Sequence, residues 1–140
     1  MAEKGTLLVV DDDGVSRAVL SNLLERQGHT VVVAKDGAEA LALVPQRAFD
    51  LIVLDLLMPG MDGFEVVQKL KSDPASREIP VVMISSAEDM SGIVKSVKLG
   101  AEDYIFKPFD EVLLKARIDG CLERKRLRER ERARGGSAPA

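Results

Sequence analysis

Apolar and polar positions fall along this chain in blocks of two alternating kinds. Short β-branched or leucine-rich runs predict strands over Thr6–Val10, Thr30–Ala34, Leu51–Leu54, Pro80–Ile84 and Asp103–Phe106. Between them lie stretches with a helical period. Val15, Val19, Leu20, Leu23 and Leu24 mark a helix over Val15–Arg26, with Gly28 as its stop. A second covers Ala38–Val44, ended by Pro45, which lacks a donor and clashes with the preceding turn. A third covers Gly63–Lys71, a fourth Met90–Lys98 closed by Gly100, and a long last helix starts near Asp110.

Strict β-α alternation implies a parallel sheet with helices on both faces, here a doubly wound α/β domain of five strands. Strands one, three and four are continuous apolar runs, as strands buried on both faces are. In such sheets ligands bind beyond the carboxyl ends of the strands. Those ends carry Asp11-Asp12-Asp13, Asp55, Ser85-Ser86 and Lys107-Pro108. Clustered carboxylates cannot all ionise unless a cation joins them. Oxygen-only ligands suit Mg²⁺, and a carboxylate can itself be a phosphoryl acceptor. Ser85 can donate to a phosphoryl oxygen and Lys107 can neutralise its charge. The set describes a phosphoryl-transfer site with Asp55 as acceptor.

Composition narrows the setting. At 140 residues, 46% hydrophobic and 31% charged, the chain has material for one domain with a sizeable core. Its longest apolar runs are far short of the roughly 20 residues that span a bilayer. The first five residues lack the build of a signal peptide, and Cys121 is the single cysteine, so a reduced, cytoplasmic location is expected. The net charge of −3 hides an asymmetry: residues 1–122 hold 13 basic and 20 acidic side chains, whereas Glu123–Arg134 holds seven basic and three acidic. That arginine-rich run has no aromatic for base stacking, so direct nucleic-acid binding is not expected. Apolar residues almost vanish after Leu127, which excludes a sustained coiled-coil seam and predicts a helix that frays beyond the globule.

Four segments in order, "LLVVDDD", "LIVLDLLMPGMDG", "PVVMISSAE" and "DYIFKPF", resemble the receiver domain of two-component response regulators. The resemblance covers roughly residues 5–122, leaving 123–140 as a charged helical extension and flexible end. It implies the flavodoxin-like strand order 2-1-3-4-5. It also implies that Asp55 is the phosphoacceptor, that Asp11 and Asp12 hold Mg²⁺ with Asp55 and the Leu57 backbone carbonyl, and that Lys107 contacts the phosphoryl group. Ser85 takes the place of the switch hydroxyl and Tyr104 that of the switch aromatic. The bond before Pro108 is expected cis, a form open mainly to X–Pro. The implied partners are a sensor histidine kinase or phosphotransfer protein and a downstream effector or output domain. Helix 4, strand 5 and helix 5 form the responsive surface, which also offers a route to a homodimer. The chain is expected to act as a switch rather than an enzyme, limited to self-phosphorylation from donors and slow self-dephosphorylation. Because "EVLLKARIDGCLERKRLRERE" resembles the exit helix of receivers joined to cyclases or other outputs, the alternative context is the N-terminal regulatory fragment of a longer protein.

Plainer roles compete at several positions. Asp13 is read as a helix cap before a metal ligand, and Ser86 as second to Ser85 for the switch. His29, beside Gly28, is expected on the surface, Cys121 as a buried small hydrophobe, and Met58 and Met61 as packing. Haloacid-dehalogenase-type phosphatases need a second aspartate where Leu57 stands, and neither Gly-x-Gly-x-x-Gly nor Gly-Lys-Ser/Thr occurs.

Overall fold

The computed structural model describes residues 4–86 and 90–135. Strands β1 (Thr6–Val10), β2 (Thr30–Ala34), β3 (Leu51–Asp55), β4 (Val81–Ser86) and β5 (Asp103–Lys107) form one sheet. Their order is β2-β1-β3-β4-β5 and every pairing is parallel. Helices α1 (Gly14–Arg26), α2 (Gly37–Leu43), α3 (Gly63–Ser72), α4 (Met90–Leu99) and α5 (Glu111–Gly135) make the crossovers and the exit.

Side chains on a strand alternate between faces, and this divides the core in two. Leu7, Val9, Leu51, Val53, Val82, Ile84 and Ile105 pack with Leu20 and Leu24 of α1 and Leu114 and Ile118 of α5. Leu8, Val10, Ile52, Leu54, Val81 and Met83 pack on the other face with Ala40 of α2 and Val66, Val67 and Leu70 of α3. Each fully buried Leu or Val contributes about 1.5–3 kcal/mol relative to exposure, so this two-sided burial dominates stability.

Four helices start on aspartates whose side chains accept amide hydrogens of the first turn: Asp13 from Val15, Asp36 from Glu39, Asp62 from Glu65, and Asp110 from Val112 and Leu113. Asp13 thus caps α1, as the sequence predicts. Helix α2 stops at Leu43, and Val44–Gln46 tightens into a 3₁₀ turn that begins around Pro45. There the missing proline donor is no loss.

Three of the predicted strand boundaries fall short at the carboxyl end. Asp55, Ser85 with Ser86, and Lys107 are the last residues of β3, β4 and β5 rather than loop residues. Ladder pairing continues through them, with Asp55 opposite Ile84 and Ser86 opposite Lys107. Backbone pairing is indifferent to side-chain polarity, so the strands outlast their apolar runs.

Two expectations are corrected. His29 is buried, at 5% exposure, and its Nδ1 accepts the Gly5 amide at 3.1 Å. The turn after α1 folds it under the start of β1. The last helix does not fray past Leu127: α5 continues to Gly135. Its basic stripe finds acidic partners on the globule, with Arg124 and Arg128 on Glu102 at 3.0 and 3.2 Å and Arg132 on Glu78 at 2.6 Å. Like charges at i,i+4 are tolerated because each faces a carboxylate across the gap. Cys121 is fully buried, as expected.

Candidate functional site

The face alternation that builds the core also selects the site. Asp11 follows Leu7 and Val9, Asp55 follows Leu51 and Val53, and Lys107 follows Ile105, all on the face covered by α1 and α5. In-register parallel strands bring their ends together. One carboxylate oxygen from each of Asp11, Asp12 and Asp55 lies within 4.8 Å of the others. Lys107 Nζ stands 3.2 Å from Asp11 Oδ2 and 3.7 Å from Asp55 Oδ2. Asp11 is fully buried and Asp55 nearly so, while Asp12 is exposed.

Three carboxylates beside one ammonium are under-neutralised, and the imbalance falls on Asp55. Burial first, and the Asp11 charge next, push its carboxyl up from 3.8 to about 7 against the pull of Lys107. Asp11 Oδ2 is buried, 3.2 Å from the Lys107 ammonium, and accepts no hydrogen bond among the described residues. Converging oxygen donors that carry surplus negative charge beyond the one Lys107 ammonium fit a hard divalent cation such as Mg²⁺. Asp13 belongs to the cap instead: the Ser16 hydroxyl, then the Val15 amide, hold its carboxyl below the ordinary value.

The acceptor loop is held by close backbone contact. A Cβ on Gly63 would come within 2.7 Å of the Asp55 carbonyl oxygen and 2.8 Å of Leu56 Cα. The Gly63 amide donates to the Leu56 carbonyl at 2.9 Å, so α3 can begin directly behind Asp55 only because residue 63 has no side chain. Leu57 projects into solvent at 63% exposure, whereas Met58 is buried.

Ser85 and Tyr104 lie on the opposite face parity from the acidic cluster. Ser85 is buried, and its hydroxyl donates to the Ser86 carbonyl at 3.0 Å. Tyr104 pairs with Met83 and packs half-buried against the α2/α3-side core. Its ring lies 5.1 Å from that of Phe106. Arg117, bonded to Asp103 at 2.9 Å, holds its guanidinium carbon 5.1 Å from the Tyr104 ring centre. The Lys107–Pro108 bond is cis. Ala87 lies outside the described residues.

Sequence reasoning did not single out Arg17, whose Nη1 donates to the Asp11 carbonyl at 2.7 Å. A signal existed: a cation in the first turns of a helix opposes the helix dipole and needs a reason to be there. It also missed Glu102 and Glu78, whose arginine partners lie 22 to 54 residues away.

A five-stranded parallel sheet of order 2-1-3-4-5, carrying carboxylates and a lysine at its carboxyl edge, defines a flavodoxin-like domain of the receiver class. The chain belongs to the response regulator receiver domain family, whose model matches residues 7–119. It is 40% identical over 129 residues to the response regulator PleD of Caulobacter vibrioides, covering 89% of this chain and 28% of that protein. It is 36% identical over 132 residues to the transcriptional regulatory protein AfsQ1 of Streptomyces coelicolor, covering 94% of this chain and 57% of that protein. Among solved structures, a putative response regulator from Chloroflexus aurantiacus superposes with a TM-score of 0.83 at 31% identity, covering 86% of this chain and 99% of that one. NtrX from Brucella abortus superposes at 0.86 and 32%, covering 91% of this chain and 29% of that one. The chain thus spans little more than a quarter of PleD and just over half of AfsQ1.

Proposed function

We propose that Asp55 is the phosphoacceptor of a two-component switch. The reading rests on one observation above the rest: a buried carboxylate at the tip of β3, raised to about 7 and flanked by Asp11, Asp12 and Lys107. A phosphorylated histidine of a sensor kinase or phosphotransfer protein is the donor. An Asp55 carboxylate oxygen attacks phosphorus, the P–N bond breaks, and its electron pair returns to the imidazole, leaving an acyl phosphate on Asp55. Asp11, Asp12, Asp55 and the Leu57 carbonyl would hold Mg²⁺, which when bound neutralises the carboxylates and the incoming phosphoryl oxygens. Lys107 balances the added charge from the β5 side, and Ser85 turns its hydroxyl from Ser86 to a phosphoryl oxygen. Tyr104, on the same sheet face as Ser85, carries the change toward α4, β5 and α5, the surface for effector docking or pairing of two copies. Self-dephosphorylation is slow and no other reaction is catalysed.

The receiver extends over residues 5–122, with 123–140 as a charged extension. It serves as a cytoplasmic signalling switch, and the alternative context is the N-terminal regulatory fragment of a longer protein with a cyclase or other signalling output domain. The partial coverage of PleD and AfsQ1 and the outgoing course of α5 support that arrangement.

Incubation with a small phosphodonor in Mg²⁺, read by intact mass, tests the assignment. Wild type gains one phosphoryl group and Asp55→Asn gains none. Equal labelling of the two overturns it.

A further inference from the structure

Arg17 occupies an electrostatically awkward place. Gly14 is the first residue of α1, and no acidic residue stands in that first turn to favour the helix. A guanidinium three residues on meets the positive end of the helix dipole. Yet the side chain is half-buried and turned back, with Nη1 on the Asp11 carbonyl at 2.7 Å.

The other polar atoms of Asp11 are also engaged. Its amide donates to the Ala34 carbonyl at 3.2 Å and its Oδ1 accepts the Asp13 amide at 2.9 Å. Its Oδ2 faces Lys107. The carbonyl that Arg17 grips belongs to the same rigid peptide plane as the Asp12 amide. Fixing that plane restricts the torsions on either side, and hence the directions of two of the three clustered carboxylates at once.

We propose that Arg17 is a positioning residue for the cation site: by clamping the Asp11–Asp12 peptide it holds both carboxylates in the geometry that a divalent cation requires. The inference rests on the reading that Asp11, Asp12 and Asp55 bind Mg²⁺. Arg17 itself touches neither the cation nor Asp55. Residues that orient metal ligands in this way typically change affinity 10- to 100-fold when lost. Charge alone predicts the opposite sign, because deleting a nearby cation would draw Mg²⁺ in more tightly.

The test is calorimetric titration of Mg²⁺ into wild type, Arg17→Met, Arg17→Lys and Asp12→Ala at fixed ionic strength, with melting curves in EDTA. Arg17→Met should bind Mg²⁺ about tenfold or more weakly. Arg17→Lys, which keeps one donor, should recover part of the loss, and Asp12→Ala sets the floor. If the methionine variant does not fold, Arg17→Gln gives the same comparison. A variant that melts lower in EDTA but binds Mg²⁺ as tightly as wild type, or more tightly, overturns the inference and leaves the metal site standing. Absence of saturable binding to wild type overturns both.

Discussion

Replacing Asp55 with asparagine should stabilise the metal-free protein, and increasingly so as pH rises. In the folded state the Asp55 carboxyl is raised from 3.8 to about 7. Between those values the folded chain holds a proton that the unfolded chain has released, so wild-type stability falls as pH climbs through the window. Asparagine does not titrate, and its amide can donate to Asp11 Oδ2, the buried oxygen that otherwise accepts no hydrogen bond among the described residues. One pKa unit corresponds to about 1.4 kcal/mol, and the two titrations between pH 5 and pH 8 amount to roughly 2–3 kcal/mol. For a chain of this size that is a widening of about 8 °C in melting temperature. Differential scanning calorimetry of both proteins at pH 5 and pH 8 in EDTA reads it directly. Saturating Mg²⁺ should then narrow the gap at pH 8, because the cation takes over from the proton in wild type. Melting curves that stay equally spaced from pH 5 to pH 8 would refute the account of Asp55 as a carboxylate destabilised by burial and by Asp11.

Truncation before Arg128 should leave phosphoryl uptake at Asp55 unchanged while removing the Arg128–Glu102 and Arg132–Glu78 pairs. The expected loss is about 1 kcal/mol or less and should disappear in high salt; a chain that no longer folds would show that the helix end is a core element. Phosphorylated protein should decay slowly, since the residues two positions after Asp55 and after Ser85 in the sequence are Leu57 and Ala87, and neither side chain can hydrogen-bond an attacking water. Leu57→Asn with Ala87→Glu should decay at least about tenfold faster after donor removal, the equivalent of about 1.4 kcal/mol of barrier, and an unchanged decay would refute this.

The strands and the edge that gathers the polar residues were legible because apolar runs and their terminating aspartates are local signals. Asp11, Asp55 and Lys107 needed only the period of two and the rule that parallel sheets bind ligands at their carboxyl edge. Their closeness to one another also needed the strand order 2-1-3-4-5, which the family resemblance implied and residue spacing did not. The course of α5 was not. Viewed along the helix alone, its arginines repel one another; Glu78 and Glu102, distant in sequence, turn that repulsion into net attraction to the globule. His29 failed for a related reason: a polar residue after a helix-ending glycine is usually solvated, and only the return of β1 beneath it supplies the Gly5 amide that its ring accepts. Long-range polar partners leave no periodicity to detect.

The unbroken α5 turns the exit of the chain into a keyed shaft. Arg124, Arg128 and Arg132 fix its angle about its own axis by engaging Glu102 and Glu78. An α-helix turns about 100° and advances about 1.5 Å per residue. One residue inserted between Cys121 and Arg124 would swing the arginine stripe about a quarter turn off its carboxylates, whereas about eleven would bring it back to nearly the same phase some 16 Å farther out. Anything fused after Arg134 would inherit its orientation from this key, and linker length in such fusions sets a dihedral angle before it sets a distance.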